Sequence, residues 1–337
     1  MFQATYSHDF KQIDFVKNII HDWKNGIRTF TLKTSGSTGT PKKVALKKEL
    51  LIWSVKSTKK VLNLAFTTNE ERVLCCLPIE KTGGFMQLIR ALHFGWSIHF
   101  VNPSSNPLAA IPESRLFSQV SFTPQQIEHI LETHKGELSK FNTVLIGGAV
   151  ISVELENKII HQDKATETHF WETYGMTETA SHIALRKIGV DSLFQPQPGV
   201  KLSLTNSLLR IDIPEINISV MTNDLAKIEV HGFEIVGRAD DIINSGGLKL
   251  NPVELEPQIQ LVLDSQNIHR NFYLGKAPDQ KLGERAVLVI EGKPFGGISE
   301  IINLLKKDLP RHSSPTEITF IPFLTYTDTG KVVRRPI

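Results

Sequence analysis

Between Thr34 and Val44 the chain reads TSGSTGTPKKV, a run of glycines and hydroxyls closing on two lysines. Glycine lets the backbone approach a ligand with no Cβ in the way, N–H groups and hydroxyls donate hydrogen bonds, and lysine adds charge, a combination suited to a polyphosphate. The same residue types also make ordinary surface loops. The run is not a Walker A loop, because Pro41 stands where the second glycine after Gly36 is required. In WETYGMTET (Trp171–Thr179) an aromatic leaves a predicted strand, a glycine turns the chain, and Thr177 and Glu178 follow. A carboxylate beside a hydroxyl suits Mg²⁺, which prefers oxygen ligands and keeps phosphate partners; the pair is equally a helix cap. Asp224, in MTND, is of the type that accepts both hydroxyls of a ribose or makes an Asx turn. Arg238, Asp240 and Asp241 read alone as a solvated charge cluster, and Lys331 in TDTGKVVRR as a solvated lysine.

Such residues need elements to position them. Between Thr29 and Gly175, β-rich runs alternate with helical periods, predicting strands at 28–33, 72–77, 97–101, 119–122, 143–146 and 169–173 with helices at 84–94 and 124–133. That alternation predicts an α/β fold with a mainly parallel sheet, whose ligands sit beyond the carboxyl ends of the strands. The loops at Thr34, Gly147–Gly148 and Gly175 are all expected at such ends. From about 196 to 236 short β-branched runs predict an antiparallel β subdomain. After the charged turn RADDIINSGG come two helical and several strand patterns, a small α+β unit. The expected division is therefore an N-terminal domain over 1–238 and a C-terminal domain over 239–337.

Bulk properties narrow the classes. A hydrophobic content of 40% with 22% charged residues is that of an ordinary globular chain. The net charge of +3 is slight and the lysines and arginines are scattered, so no nucleic-acid partner is expected. Cys75 and Cys76 are adjacent in an apolar run and read as buried thiols of a reducing compartment. No apolar run has the roughly 20 residues of a membrane span, and the N-terminus lacks a secretory pattern, so a cytoplasmic location is expected. Oligomeric state is not legible.

The ordered series TSGSTGTPK, GGA, YGMTET, TND, GRADDIINSGGLK, TGKVVRR resembles the signature segments of the AMP-forming acyl-CoA synthetases and adenylating enzymes. The resemblance implies ATP, Mg²⁺ and coenzyme A as ligands, a carboxylic acid as substrate, and a mobile C-terminal domain. It implies that Thr34, Ser35, Gly36, Ser37, Thr38, Gly39 and Lys42 hold the phosphates of ATP. Gly147, Gly148 and Ala149 would line the adenine, with Tyr174 stacked on it beside Gly175. Thr177 and Glu178 match the family's phosphate and Mg²⁺ contacts, Asp224 and Arg238 its ribose binders, Asp240 its hinge, and Lys331 its catalytic lysine. Gly246, Gly247 and Lys249 match the region that meets coenzyme A.

The chain departs from the family in several places. Little sequence precedes the Thr34 run, so much of the usual acyl-pocket wall is expected to be reduced. Lys81 stands near a common histidine, Lys43 where glycine is usual, and TND replaces TGD. In length, and in LPIEKTGGFMQLIRALHFGW and TETASHIALRK, the chain looks like the compact o-succinylbenzoate–CoA ligases of menaquinone biosynthesis. That acid has two carboxylates, so one is left after the other is activated; Lys81 or His182 is expected to meet it, with Arg90 and Arg186 solvated on helix faces. An aryl or fatty acid adenylating enzyme that serves a carrier protein, and a non-catalytic adenylate-binding remnant, are the alternatives.

Overall fold

The computed structural model describes residues 2–33, 42–62, 72–111, 116–134, 136–163, 167–327, 332–334 and 337. The expectations placed on Thr34, Ser35, Gly36, Ser37, Thr38, Gly39 and Lys331 lie outside the described residues.

The apolar runs Arg72–Cys75, Phe117–Phe122 and Phe141–Ile146 are buried at most positions, as strands covered on both faces must be. Val73 and Cys75 enter one hydrophobic cluster while Leu74 and Cys76 enter another, so successive side chains serve opposite faces of the sheet. The six parallel strands run in the order Gln3–Tyr6, Ser97–Phe100, Arg72–Cys75, Phe117–Phe122, Phe141–Ile146, His169–Met176. Ser181–Lys187 and Gln195–Pro196 continue the sheet antiparallel. Both cysteines are buried free thiols, and burial pushes the Cys75 thiol up to about 12.

Helix ends are written in the sequence. Thr123 and Gln126 form a reciprocal capping box with Pro124 at the first turn of Pro124–Thr133. Thr82–Phe94 stops at Gly95, whose φ of 74° ends a helix without a Cβ penalty.

One strand is placed differently from the sequence expectation. Thr29–Lys33 is not in the parallel sheet; among the described residues it pairs only with Lys43–Lys47, in an antiparallel two-stranded sheet. Only Phe30 and Leu32 of it are buried, the alternation of a strand with one covered face. Gly147–Gly148 thus follow a strand of the main sheet and Gly175 lies near the end of another, His169–Met176, whereas the strand before Thr34 belongs to a different sheet.

Lys201–Thr205, Leu208–Ile213, Ile218–Glu229 and Gly232–Arg238 form a four-stranded antiparallel sheet whose Leu209, Ile211, Ala226 and Phe233 join one of the main sheet's hydrophobic clusters. Beyond the 3₁₀ turn Ala239–Asp241, a five-stranded sheet and the helices Pro252–Ser265 and Ile298–Asp308 close around a separate core drawn from residues 243–318.

Arg186 is not solvated. It lies opposite Glu172 across adjacent strands, donates to Glu172 Oε2 at 2.9 Å from Nε, and forks onto both oxygens of Glu156 at 2.8 Å. Because these partners are largely buried, Arg186→Leu should leave two carboxylates uncompensated and cost about 3 kcal/mol. Urea unfolding checks this; an unchanged midpoint would mean that the pair is effectively in water.

Candidate active site

The carboxyl ends of four parallel strands open into one cavity of about 500 Å³, within the range of small-molecule sites. Leu77 and Pro78 follow Arg72–Cys75, Thr123 follows Phe117–Phe122, Gly147 and Gly148 follow Phe141–Ile146, and Gly175 and Met176 end His169–Met176. This is where an open α/β sheet binds its ligands. Three lining glycines are required by space, one of them Gly84, where a Cβ would overlap the Leu77 and Pro78 carbonyl oxygens. A Cβ on Gly147 would overlap Thr173 Oγ1, and one on Gly175 would overlap the Ser181 carbonyl, where the strand pairing shifts register.

The described residues lining the cavity include three cations, Lys33, Lys81 and Arg90, and no carboxylate. Arg90 is the unusual one. It is 3% exposed, its Nε is buried without a partner, and its Nη2 donates to Ser181 Oγ at 3.2 Å. Among the described residues no carboxylate pairs with it. Burial lowers its pKa to about 10, which still leaves it charged at neutral pH. The expectation of a solvated Arg90 fails because Thr82–Phe94 is buried on every side from Gly84 to Ala91 and offers no wet face there.

His182 also lines the cavity and is 5% exposed. Burial first, and then the Arg90 charge, hold its pKa well below the ordinary histidine value. Its Nε2 lies 2.9 Å from Thr58 Oγ1. Thr177 sits in the 3₁₀ turn Thr177–Thr179 with Oγ1 2.7 Å from Thr82 Oγ1, at the start of the Arg90 helix. Glu178 is exposed on that turn. No cluster of three metal-ligating side chains occurs among the described residues, so a cation at Glu178 would need oxygens from its ligand.

A second group of predicted residues is joined by hydrogen bonds. Asp224 and Arg238 are register partners on adjacent strands, and Arg238 Nη1 donates to Asp224 Oδ1 at 2.7 Å. Tyr174 Oη donates to Asp224 Oδ2 at 2.6 Å, while its ring packs edge-on against Phe233 at 5.5 Å. Asp240 accepts from Arg238 Nη2 and from Asn223 Nδ2, both at 3.1 Å. Five further sequence-derived candidates lie apart from both groups. Gly246 and Gly247 turn the hairpin between Ile243–Ser245 and Leu248–Leu250 at positive φ, with Lys249 exposed beside them. Lys42 is exposed before the Lys43–Lys47 strand, and Ala149 follows Gly148 partly buried. Sequence reasoning missed Thr58, Thr82 and Ser181, hydroxyls that become informative only through the groups they touch.

This arrangement has known counterparts. Residues 30–211, just over half of the chain, match the family of AMP-binding enzymes. A crystal structure of an acyl-CoA synthetase (AMP-forming)/AMP-acid ligase II-like protein from Dyadobacter fermentans is 31% identical, with a TM-score of 0.63 and coverage of 97% of this chain and 93% of that one. The chain belongs to the AMP-binding enzyme family, and it is an enzyme of that class. Among curated relatives, a 2-succinylbenzoate–CoA ligase of Listeria monocytogenes is 26% identical over 345 residues, covering 95% of this chain and 71% of its own. The fold is also that of the o-succinylbenzoate coenzyme A synthetase of Bacillus subtilis solved with ATP and magnesium ion, at a TM-score of 0.73, 20% identity, and coverage of 90% and 68%.

His182 has a consequence for stability. Its folded-state pKa is depressed, so the unfolded chain takes up a proton first and stability falls as pH drops below about 6.5, the ordinary histidine value. His182→Gln should flatten the slope of unfolding free energy between about pH 7 and 5. An unaltered slope would mean that His182 titrates normally.

Proposed function

We propose that this chain is an ATP-dependent, AMP-forming acid–CoA ligase whose acid carries a second carboxylate, with o-succinylbenzoate as the substrate that fits best. The observation that carries this reading is Arg90: a guanidinium held in a cavity wall, out of water, with no carboxylate partner among the described residues. A buried charge left in that state is costly unless a ligand supplies the counter-charge. Activation consumes one carboxylate of a diacid and leaves the other as an anion, which would complete the pair with Arg90. His182 is less suited to that role than Arg90, because it is neutral and its Nε2 already contacts Thr58.

The chemistry follows from charge. A carboxylate oxygen attacks the α-phosphorus of ATP, the bond to the β-phosphate oxygen breaks, and pyrophosphate leaves. The coenzyme A sulfur then attacks the acyl carbonyl carbon, AMP departs, and the thiol proton passes to solvent. Repulsion between the acid and the phosphates is offset by cations in place before the reaction, which is electrostatic stabilisation. By the family resemblance Lys331 supplies such a charge during adenylation, and the residues from Thr34 to Gly39 with Lys42 hold the phosphates. Mg²⁺, held by Glu178 and the phosphate oxygens beside Thr177, would neutralise charge developing on them. Asp224 and Arg238 take the ribose beside Tyr174. Residues 239–337 turn as a unit about Asp240, bringing Gly246, Gly247 and Lys249 to the site for the thiol step.

Two outcomes test this. Pyrophosphate release with o-succinylbenzoate should exceed that with benzoate-type monocarboxylates, and Arg90→Met should reduce that selectivity ratio about 10- to 100-fold, the value of a charge-assisted hydrogen bond. An unchanged ratio would remove Arg90 from acid recognition. Lys331→Ala should depress adenylation by about 100-fold or more while largely sparing thioester formation from supplied acyl-adenylate. Equal loss in both steps would contradict its role.

A further inference from the structure

From the cavity wall to the helix behind it runs a series of hydrogen bonds whose direction is fixed at Thr58. Thr58 Oγ1 lies 2.9 Å from the Ser54 carbonyl oxygen, one turn earlier in its helix, and spends its only O–H there because a carbonyl cannot donate. Thr58 Oγ1 must therefore accept from His182 Nε2 at 2.9 Å, and Gln197 Nε2 adds a weaker donor at 3.4 Å. A neutral imidazole with hydrogen on Nε2 has an acceptor at Nδ1, and Ser181 Oγ lies 3.3 Å from it. With its O–H turned to His182, Ser181 offers only lone pairs to Arg90 Nη2 at 3.2 Å. A guanidinium can only donate, so Ser181 Oγ accepts from Arg90 in either tautomer. In the other tautomer Ser181 would also accept from the ring, dividing its two lone pairs between two donors and leaving its O–H without a partner in this run.

We propose that Thr58 and His182 are positioning residues for Arg90: by fixing the imidazole tautomer they engage the Ser181 O–H and orient its lone pairs towards Arg90, and Ser181 holds the guanidinium towards the acid's second carboxylate. The proposal rests on the reading of Arg90 given above. Its physical basis is that Ser181 is the one hydrogen-bond partner of Arg90 among the described residues, so nothing else in that set fixes the guanidinium fork. None of the three supporting side chains needs to touch substrate. Ser181 and His182 are part of the wall, and Thr58 stands behind it on a helix, Lys48–Val61, that contributes no residue to the lining.

The test uses the whole enzyme and two readouts. Nitrogen-15 NMR of wild-type His182 at neutral pH should show a neutral ring protonated on Nε2; a charged ring, or hydrogen on Nδ1, overturns the relay without any variant. Thr58→Val keeps the shape and removes the acceptor, so the ring should populate both tautomers and the selectivity for o-succinylbenzoate over benzoate should fall about 5- to 30-fold, mainly through KM for the acid. Thr58→Ser, which restores the hydroxyl, should recover both signals. If Arg90→Met destroys the selectivity while Thr58→Val leaves it intact, the relay is wrong and the reading of Arg90 stands. If Arg90→Met leaves the selectivity intact, that reading fails, and the NMR of the ring still decides the tautomer. Loss of folding in Thr58→Val, seen by its melting curve, leaves the wild-type spectrum and the serine variant to decide.

Discussion

A guanidinium held out of water with no counter-anion among the described residues is the constraint around which the cavity is organised. Removing a cation from water costs several kcal/mol even after relaxation, and the Arg90 helix does nothing to reduce that cost. In Thr82–Phe94 the helix neighbours of Arg90, Phe85, Met86, Leu88, Ile89 and Ala91, are all fully or almost fully buried. A residue chosen for stability at that point would be apolar. The lining adds Lys33 and Lys81 without a carboxylate among its described residues, so the whole cavity is poised for anions. Stability is traded for a field already in place when ligand arrives.

The scaffold explains why that field can be held still. Parallel strands buried on both faces fix where their carboxyl ends lie, and Gly147 and Gly175 allow backbone to pass where any side chain would collide. The hydroxyls of Thr82 and Thr177 tie the start of the Arg90 helix to the turn that carries Glu178. On the neighbouring four-stranded sheet, Asp224 is 7% exposed and already engaged by Tyr174 and Arg238, so its carboxylate has one defined orientation. Asp240 joins the same network through Arg238 and Asn223, immediately before the chain enters its separate C-terminal core. Asn223 is the residue that departs from the usual TGD pattern, and its contact with Asp240 is one a glycine cannot make.

Much of this was legible in the sequence, and the failures have physical causes. The strands of the main sheet read as short apolar runs, and the capping box at Thr123 and the stop at Gly95 fix helix ends by local chemistry. Thr29–Lys33 was assigned to the wrong sheet although its alternation of buried and exposed residues is itself the mark of a half-covered strand. Arg90 was read as solvated from its charge, when its neighbours FMQLI and AL leave no polar face for it to occupy. Arg186 illustrates a harder case. Its partner Glu172 is set by strand register and Glu156 comes from a helix 30 residues away, neither of which a single sequence displays. Asp224 and Arg238, which the family resemblance singles out, stand opposite each other across a hairpin, the shortest long-range pairing a chain makes.

The most direct measurement leaves the protein unaltered and removes the charge from the ligand. Adenylation kcat/KM is compared for o-succinylbenzoate and for its analogue in which the aromatic carboxylate is a carboxamide of nearly the same shape. If the buried Arg90 cation awaits a second carboxylate, the neutral analogue should be poorer by about 10-fold or more, with the loss in KM. Equal values for the two would contradict the account.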